Sequence, residues 1–227
     1  MDKFRIAILG CGTVGGGVAK IILEQAQSLA IKSGKQIEIA KILDLFPTKS
    51  SVRHGIPLEL FCGNGKDPAK EDMPKYTQEI LDDKSIDLVI ETIGGSSESL
   101  LNTVTGVLNS GKHLVTANKA LLAKYNKTII DTAFKNNKAV GFEAAVCGAI
   151  PIIKGINECF TGDEITCVQG IMNGTSNYIL SKMANEGKSF ADALKSAQEK
   201  GYAEADPTLD INGHDAGHKL IILLKLI

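Results

Sequence analysis

Nineteen residues from Gly201 to Lys219 hold four acids, Glu204, Asp206, Asp210 and Asp215, and close on a lysine. Pro207 and Gly213 interrupt the stretch, and an apolar run follows it. Asp215 and Lys219 stand four residues apart in a helical pattern, so they share one helix face. Such a pair can be a solvated ion pair contributing ~0.2–0.5 kcal/mol. It can equally be an acid–base site, in which the lysine moves a proton and the carboxylate steadies it.

The N-terminal residues suggest what such a site would act with. Phe4-Arg5-Ile6-Ala7-Ile8-Leu9 reads as a buried parallel strand, and Gly10-Cys11-Gly12-Thr13-Val14-Gly15 follows at once. A helix-length apolar stretch then runs from Val14 to about Ile31, and a second strand, Gln36 to Leu43, closes on Asp44. Strand, glycine loop, helix, strand and acid in this order make a dinucleotide-binding unit. Gly10 permits the tight turn, Gly12 lets backbone N–H groups approach a pyrophosphate, and Gly15 lets the helix lie close to the strand. The glycines alone would also fit a plain turn; the flanking elements favour the nucleotide reading. Asp44 lies beyond the usual spacing of ~20 residues, an excess that a long first helix and the Ser33-Gly34-Lys35 turn absorb. A carboxylate here accepts ribose hydroxyls and repels a 2′-phosphate. Leu43, Leu45 and Phe46 offer no arginine, with Lys49 the nearest loop cation, so NAD is expected over NADP.

Residues 47–74 read as irregular, with a short strand from Leu58 to Cys62. Ile86 to Thr92 is the next strand, and Gly94-Gly95 turns the chain. Thr92 and this turn are candidates to lie along the nicotinamide half of a cofactor, since loops at strand carboxyl ends face the ligand crevice. A helix from Ser97 to Asn109 leads to a strand from Gly111 to Thr116, at whose start His113 reads as structural. Lys119 follows where a helix begins, a position disfavoured for a cation on dipole grounds, so it invites an anionic or carbonyl partner. Ala139 to Phe142 is a short strand, then comes Glu143 among small apolar residues. A buried carboxylate needs a partner, and neighbouring backbone carbonyls could hold a small hard cation with it. Pro151 opens a helix over 152–159. Beyond a domain change near residue 145 come a strand from Glu164 to Met172, the polar turn Asn173 to Asn177, a helix from Tyr178 to Asn185, and another from Phe190 to Lys200 capped by Ser189.

Composition bounds the remaining possibilities. The chain has 227 residues, 44% hydrophobic and 22% charged, with a formal net charge of −1. That is ordinary for a globular protein and leaves no electrostatic footprint for nucleic acid. Five scattered cysteines without a paired motif point to a reduced, cytoplasmic protein with no zinc site. The first apolar run is too short for a signal peptide, and none approaches a membrane span. The last eight residues are seven apolar ones and a lysine, from which a continuation of the chain is expected.

Four blocks together resemble the homoserine dehydrogenase family. They are Gly10 to Gly15; Gly111-Lys112-His113-Leu114-Val115-Thr116-Ala117-Asn118-Lys119; Asn173-Gly174-Thr175-Ser176-Asn177-Tyr178; and the spacing of Gly201, Tyr202, Glu204, Asp206, Pro207, Asp210, Gly213, Asp215 and Lys219. The resemblance runs from residue 4 to the end. It implies an α/β fold: a Rossmann-type doubly wound parallel sheet in residues 1–145, then an incomplete α+β substrate and catalytic domain in residues 146–227. It implies interconversion of L-homoserine and L-aspartate 4-semialdehyde with NAD or NADP, a step toward threonine, isoleucine and methionine.

By the same resemblance Lys219 is the general acid/base and Lys119 a second cation. Glu204 and Asp215 hold the ammonium of the amino acid, Asp210 assists, and Gly174 and Thr175 line the pocket. The cofactor residues implied are Gly10, Gly12, Thr13, Val14, Gly15, Asp44, Thr92, Lys119 and Gly201. Glu143 with the backbones of Val146, Gly148 and Ile150 matches a Na+ or K+ site, although Cys147 and Ala149 replace glycines common there. Leu43 stands where relatives that prefer NADP often carry arginine. A homodimer is implied for the full-length protein, with no nucleic-acid or membrane partner. Two alternatives stay open: another semialdehyde or amino-acid dehydrogenase, and an inactive NAD-binding fragment.

Overall fold

Every residue of β1 (Lys3–Leu9) from Ile6 onward is apolar and buried, which suits a strand flanked on both sides and covered on both faces. In the computed structural model, which describes residues 1–227 apart from the side chain of Asn64, the chain divides into two compact units, Met1–Ala145 and Val146–Ile227. Among the described residues no helix is long and apolar enough to cross a membrane.

In the first unit β1 leads through the glycine loop into α1 (Thr13–Glu24), α2 (Ala26–Ser33) and β2 (Gln36–Leu43). There follow α3 (Pro47–His54), α4 (Met73–Asp82), β3 (Leu88–Glu91), α5 (Glu98–Asn109), β4 (His113–Thr116), α6 (Lys119–Lys135) and β5 (Val140–Gly141). The five strands form one parallel sheet in the order β2-β1-β3-β4-β5. Strand order reverses between β1 and β3, which makes the carboxyl ends of these two strands the crevice of a doubly wound sheet. Ile6, Ile8, Ile22, Ile39, Ile42, Phe61 and Ile90 form part of the core beneath it. The expected α/β, Rossmann-type fold is borne out.

Three local expectations are corrected. The helix expected from Val14 to Ile31 breaks at Gln25 (φ −112°, ψ 20°). The α1 segment buries Gly15, Gly16, Ala19 and Ile22, whereas α2 buries nothing, so the helix leaves the sheet where its apolar face ends. Within the stretch expected to be irregular, Pro47 starts α3 at its first turn and Gly55 (φ 67°) stops it. Leu58–Leu60 is a 3-10 turn rather than a strand, and only Phe61 bridges to Ile42 of β2.

The second unit holds α7 (Ile152–Lys154), which continues as a π-turn to Cys159, then α8 (Gly174–Glu186), α9 (Phe190–Glu199), α10 (Thr208–Ile211) and α11 (His214–Leu224). The α8 and α9 helices pack as a hairpin on Ile179, Ala193, Ala197 and Ala203, with the Tyr178 and Tyr202 rings 5.0 Å apart. Asn173 and Ser189 cap the two helices, so α8 starts four residues before the expected Tyr178. The strand expected from Glu164 to Met172 is not formed. Among the described residues this unit contains no strand to pair with it, and an extended segment becomes a strand only when a neighbour takes its backbone groups.

Candidate functional site

Gly10 turns the chain at φ +88°, a conformation few side chains tolerate. A Cβ on Gly15 would stand 2.0 Å from the Gly10 carbonyl oxygen and 2.5 Å from Thr92 Oγ1, so only glycine lets α1 approach. A Cβ on Gly12 would meet nothing within 4 Å. Gly12 is therefore not required by packing, and its bare backbone faces open space. The helix behind the loop has no side-chain cap and no acid in its first turn, leaving its N–H groups for an anion. Thr13 and Val14 are exposed at that end.

The carboxylate of Asp44 reaches back across the crevice, accepting from Cys11 N and, at 2.7 Å, from Phe46 N. It therefore ties the end of β2 to the glycine loop. Burial, helped by the Asp44 charge, pushes the Cys11 thiol up to about 11. Thr92 donates its hydroxyl to Gly10 O at 2.8 Å and so braces the loop from below.

The neighbouring strands are joined by two residues that sequence reasoning passed over. Glu91 is fully buried, accepting from Ile93 N at 2.8 Å, Gly94 N at 3.2 Å and Thr116 Oγ1 at 2.5 Å. It holds the Gly94-Gly95 turn, whose φ values are +84° and +82°. Asn118 donates to Gly95 O at 2.8 Å while its Oδ1 caps α6 at Leu121 N. Lys119, half-buried, is the first residue of that helix. His113 starts β4 and accepts from Ala139 N at its Nδ1, a structural role as expected.

Beside these ends lies a cleft of about 750 Å3, lined among others by Leu9, Leu43, Met73, Ile93, Ser97 and Leu100. Arg53 was also missed: from α3 its Nη2 donates to Thr13 Oγ1 at 3.1 Å, placing a guanidinium over the glycine loop. A helix starting at Pro47 is the signal that could have found it.

In the second unit the acidic stretch separates into two groups. Asp210, Asp215 and Lys219 come together, joined by Asn173. Lys219 Nζ donates to Asp215 Oδ2 at 2.7 Å and to the Met172 carbonyl at 2.6 Å. Asn173 Nδ2 donates to Asp210 Oδ1 at 2.7 Å and Asp215 Oδ2 at 2.9 Å. Asn173 and Asp215 are buried, at 7% and 8% exposure. That burial separates the Asp215–Lys219 pair from the solvated pairs on the other helices.

Glu204, in contrast, is exposed, and its backbone carbonyl accepts from Gln198 Nε2. Asp206, just before α10, accepts from Thr208 N and Oγ1, and these hydrogen bonds hold its carboxyl below the usual range. Gly213 (φ +76°) stands at the cap just before α11, and Gly201 (φ +73°) ends the turn after α9. Gly174 is exposed at the start of α8, while Thr175 is buried and donates to Tyr202 O at 2.6 Å.

Glu143 is half-buried in a 3-10 turn at the end of the first unit. At the start of the second, Val146 is buried and Gly148 and Ile150 are exposed. Cys147 (φ 59°) and Ala149 (φ 41°) both take the left-handed conformation that glycine would take without strain. Among the described residues no three acid, histidine or cysteine side chains gather as a metal site.

Residues 10–143 match the family model described as homoserine dehydrogenase, NAD binding domain, and residues 151–227 match that of homoserine dehydrogenase. The homoserine dehydrogenase of Neisseria gonorrhoeae is 44% identical over all of this chain and 48% of its own length, and that of Bacillus subtilis 40% identical over 49% of its length. Among solved structures, a homoserine dehydrogenase from Thiobacillus denitrificans is similar with a TM-score of 0.84 and 41% identity, over 98% of this chain and 48% of that one. A hyperthermophilic archaeal homoserine dehydrogenase in complex with NADPH gives a TM-score of 0.79 at 27% identity, over 99% and 69% of the two chains. The chain spans about half the length of the curated relatives it matches.

Proposed function

Because the chain belongs to the homoserine dehydrogenase family, we propose that its protein interconverts L-homoserine and L-aspartate 4-semialdehyde, a step of amino-acid biosynthesis. The first unit would carry the nicotinamide cofactor and the second the amino acid. The observation that carries this reading is the half-buried Lys219, held between the buried carboxylate of Asp215 and the Met172 carbonyl.

The glycine loop fits a dinucleotide: Gly12 is open, Gly10, Gly15 and Thr92 shape the turn, and the N–H groups at Thr13 and Val14 are available to phosphate. The bound cofactor supplies the hydride acceptor for the alcohol and the hydride donor for the aldehyde. Lys219 takes the hydroxyl proton on oxidation and returns it to the aldehyde oxygen on reduction. Lys119 serves as the second cation. Asp215 and Glu204 hold the substrate ammonium, Asp210 supports them, Gly174 and Thr175 line the pocket, and Gly201 contributes to the cofactor side. A carboxylate with three backbone carbonyls is an all-oxygen donor set suited to a hard monovalent ion. Glu143, Val146, Gly148 and Ile150 would thus hold Na+ or K+.

For the cofactor, Asp44 and Leu43 favour NAD, since a carboxylate at the ribose repels a 2′-phosphate. NADP is the second reading, on the strength of Arg53 above Thr13. The protein is read as cytoplasmic and dimeric. Steady-state oxidation of L-homoserine with each cofactor tests the reaction and the cofactor choice together. Turnover with a higher kcat/KM for NAD+ is expected; no turnover on homoserine overturns the assignment, and a clear preference for NADP+ overturns the role given to Asp44.

A further inference from the structure

The lysine and the two aspartates do not position themselves. Asp210 lies within α10, Asp215 sits in the first turn of α11, and neither carboxylate bonds the other. What joins them is the side-chain amide of Asn173, which comes from the far side of the cluster in sequence, 37 residues before one acid and 42 before the other. A primary amide has two N–H donors and one carbonyl oxygen. Both donors of Asn173 are used, one on each aspartate, and the oxygen accepts from Ser176 N at 2.7 Å as the cap of α8. The amide orientation follows from this network, because the opposite one would turn the carbonyl oxygen toward two carboxylates. The preceding residue, Met172, gives its carbonyl to Lys219. One dipeptide therefore sets Lys219 from both sides, with an acceptor for its ammonium and a donor for the carboxylate that the ammonium shares.

We infer that Asn173 is a positioning residue of the proton-transfer site: its amide fixes Asp215, and through Asp215 the Nζ of Lys219, while holding Asp210 in the same hydrogen-bond network. This rests on the proposed dehydrogenase reading, and Asn173 itself is not assigned a contact with substrate. Lys219 has three N–H donors, of which two are engaged among the described residues, so one is left for a substrate oxygen. The direction of that third donor is set by the other two. An error of about 1 Å in such a group costs on the order of a hundredfold in rate.

Asn173 also caps a helix, and the test must separate the two roles. Serine caps a helix about as well as asparagine but brings a single hydroxyl. Asn173→Ser in the natural gene product therefore keeps the cap and loses the clamp. Asn173→Asp keeps a capping oxygen and sets a third carboxylate against the other two. Asn173→Ser should melt within a few degrees of the parent, bind the cofactor as it does, and lose about a hundredfold in kcat with a smaller change in KM for homoserine. Asn173→Asp should lose at least as much kcat and melt lower, because of the added buried charge. In a Lys219→Ala background, Asn173→Ser should cause almost no additional loss, since its effect passes through the lysine.

A helix-capping role alone predicts the reverse pattern, with Asn173→Ser active and only Asn173→Ala impaired; that result overturns the inference. So does a full additional loss in the Lys219→Ala background. If Lys219→Ala itself stays active, the functional reading fails, and that failure is visible without any Asn173 variant.

Discussion

The glycine loop of the first unit and the lysine cluster of the second solve opposite problems. The loop works by leaving side chains out: Gly15 has no room for a Cβ, and Gly12 has no neighbour that forbids one. The cluster works by crowding side chains in, with four polar groups from three segments satisfying one another around the buried Asn173 and Asp215. Backbone N–H groups can receive a phosphate without moving, whereas a proton can be moved only by a titratable side chain whose position is held. The first kind of site is specified by steric exclusion and the second by mutual hydrogen bonding.

The largest test of this contrast is Lys219→Ala. It should lower kcat by about a thousandfold, within the range for general acid–base groups, and leave cofactor affinity nearly unchanged. Single-turnover rates and nucleotide titration measure the two separately. A loss of only a few fold would remove the lysine from proton transfer and leave the cluster a structural one.

The same contrast explains what could be read in advance. Strand β1, the glycine loop and strand β2 ending at Asp44 were legible because each depends on neighbours in sequence or on a rigid steric rule. The Asp215–Lys219 pair was legible because helical spacing alone puts the two together. Arg53 was not, since it meets Thr13 across 40 residues by way of a helix that begins in a proline-rich, weakly patterned stretch. Glu91 was hidden inside an apolar strand, and its three hydrogen bonds exist only once β3, β4 and the Gly94-Gly95 turn are side by side. The extended run from Glu164 to Met172 misled for the complementary reason: its pattern suits a strand, but a pattern does not supply the neighbour.

A smaller effect is expected at the loop, where two glycines should part company. Gly15→Ala forces a Cβ onto the Gly10 carbonyl and should cost about 1–3 kcal/mol of stability, together with nucleotide binding. Gly12→Ala should leave the melting temperature unchanged and weaken nucleotide binding alone. Thermal melts with and without NAD+ distinguish them. Equal destabilisation by both would show that the loop is held by general packing rather than by one contact.

The smallest difference concerns reactivity. The Cys11 thiol, raised to about 11 by burial and Asp44, and Cys62, raised to about 11 mainly by burial, stay protonated near neutral pH. Exposed Cys159 and Cys167 should be alkylated first, and by roughly two orders of magnitude. Mass spectrometry of partly labelled protein measures this, and early labelling of Cys11 would mean that the glycine loop opens readily.

The long reach of Asn173 and Met172 also sets an order in time. As the chain leaves the ribosome, the loop obtains its Asp44 and Thr92 contacts early, within the first 92 residues. Met172 must wait a further 47 residues for Lys219, about 2–9 s at ordinary rates of synthesis. Throughout that interval the nascent protein could already hold a nucleotide yet have nowhere to put a proton.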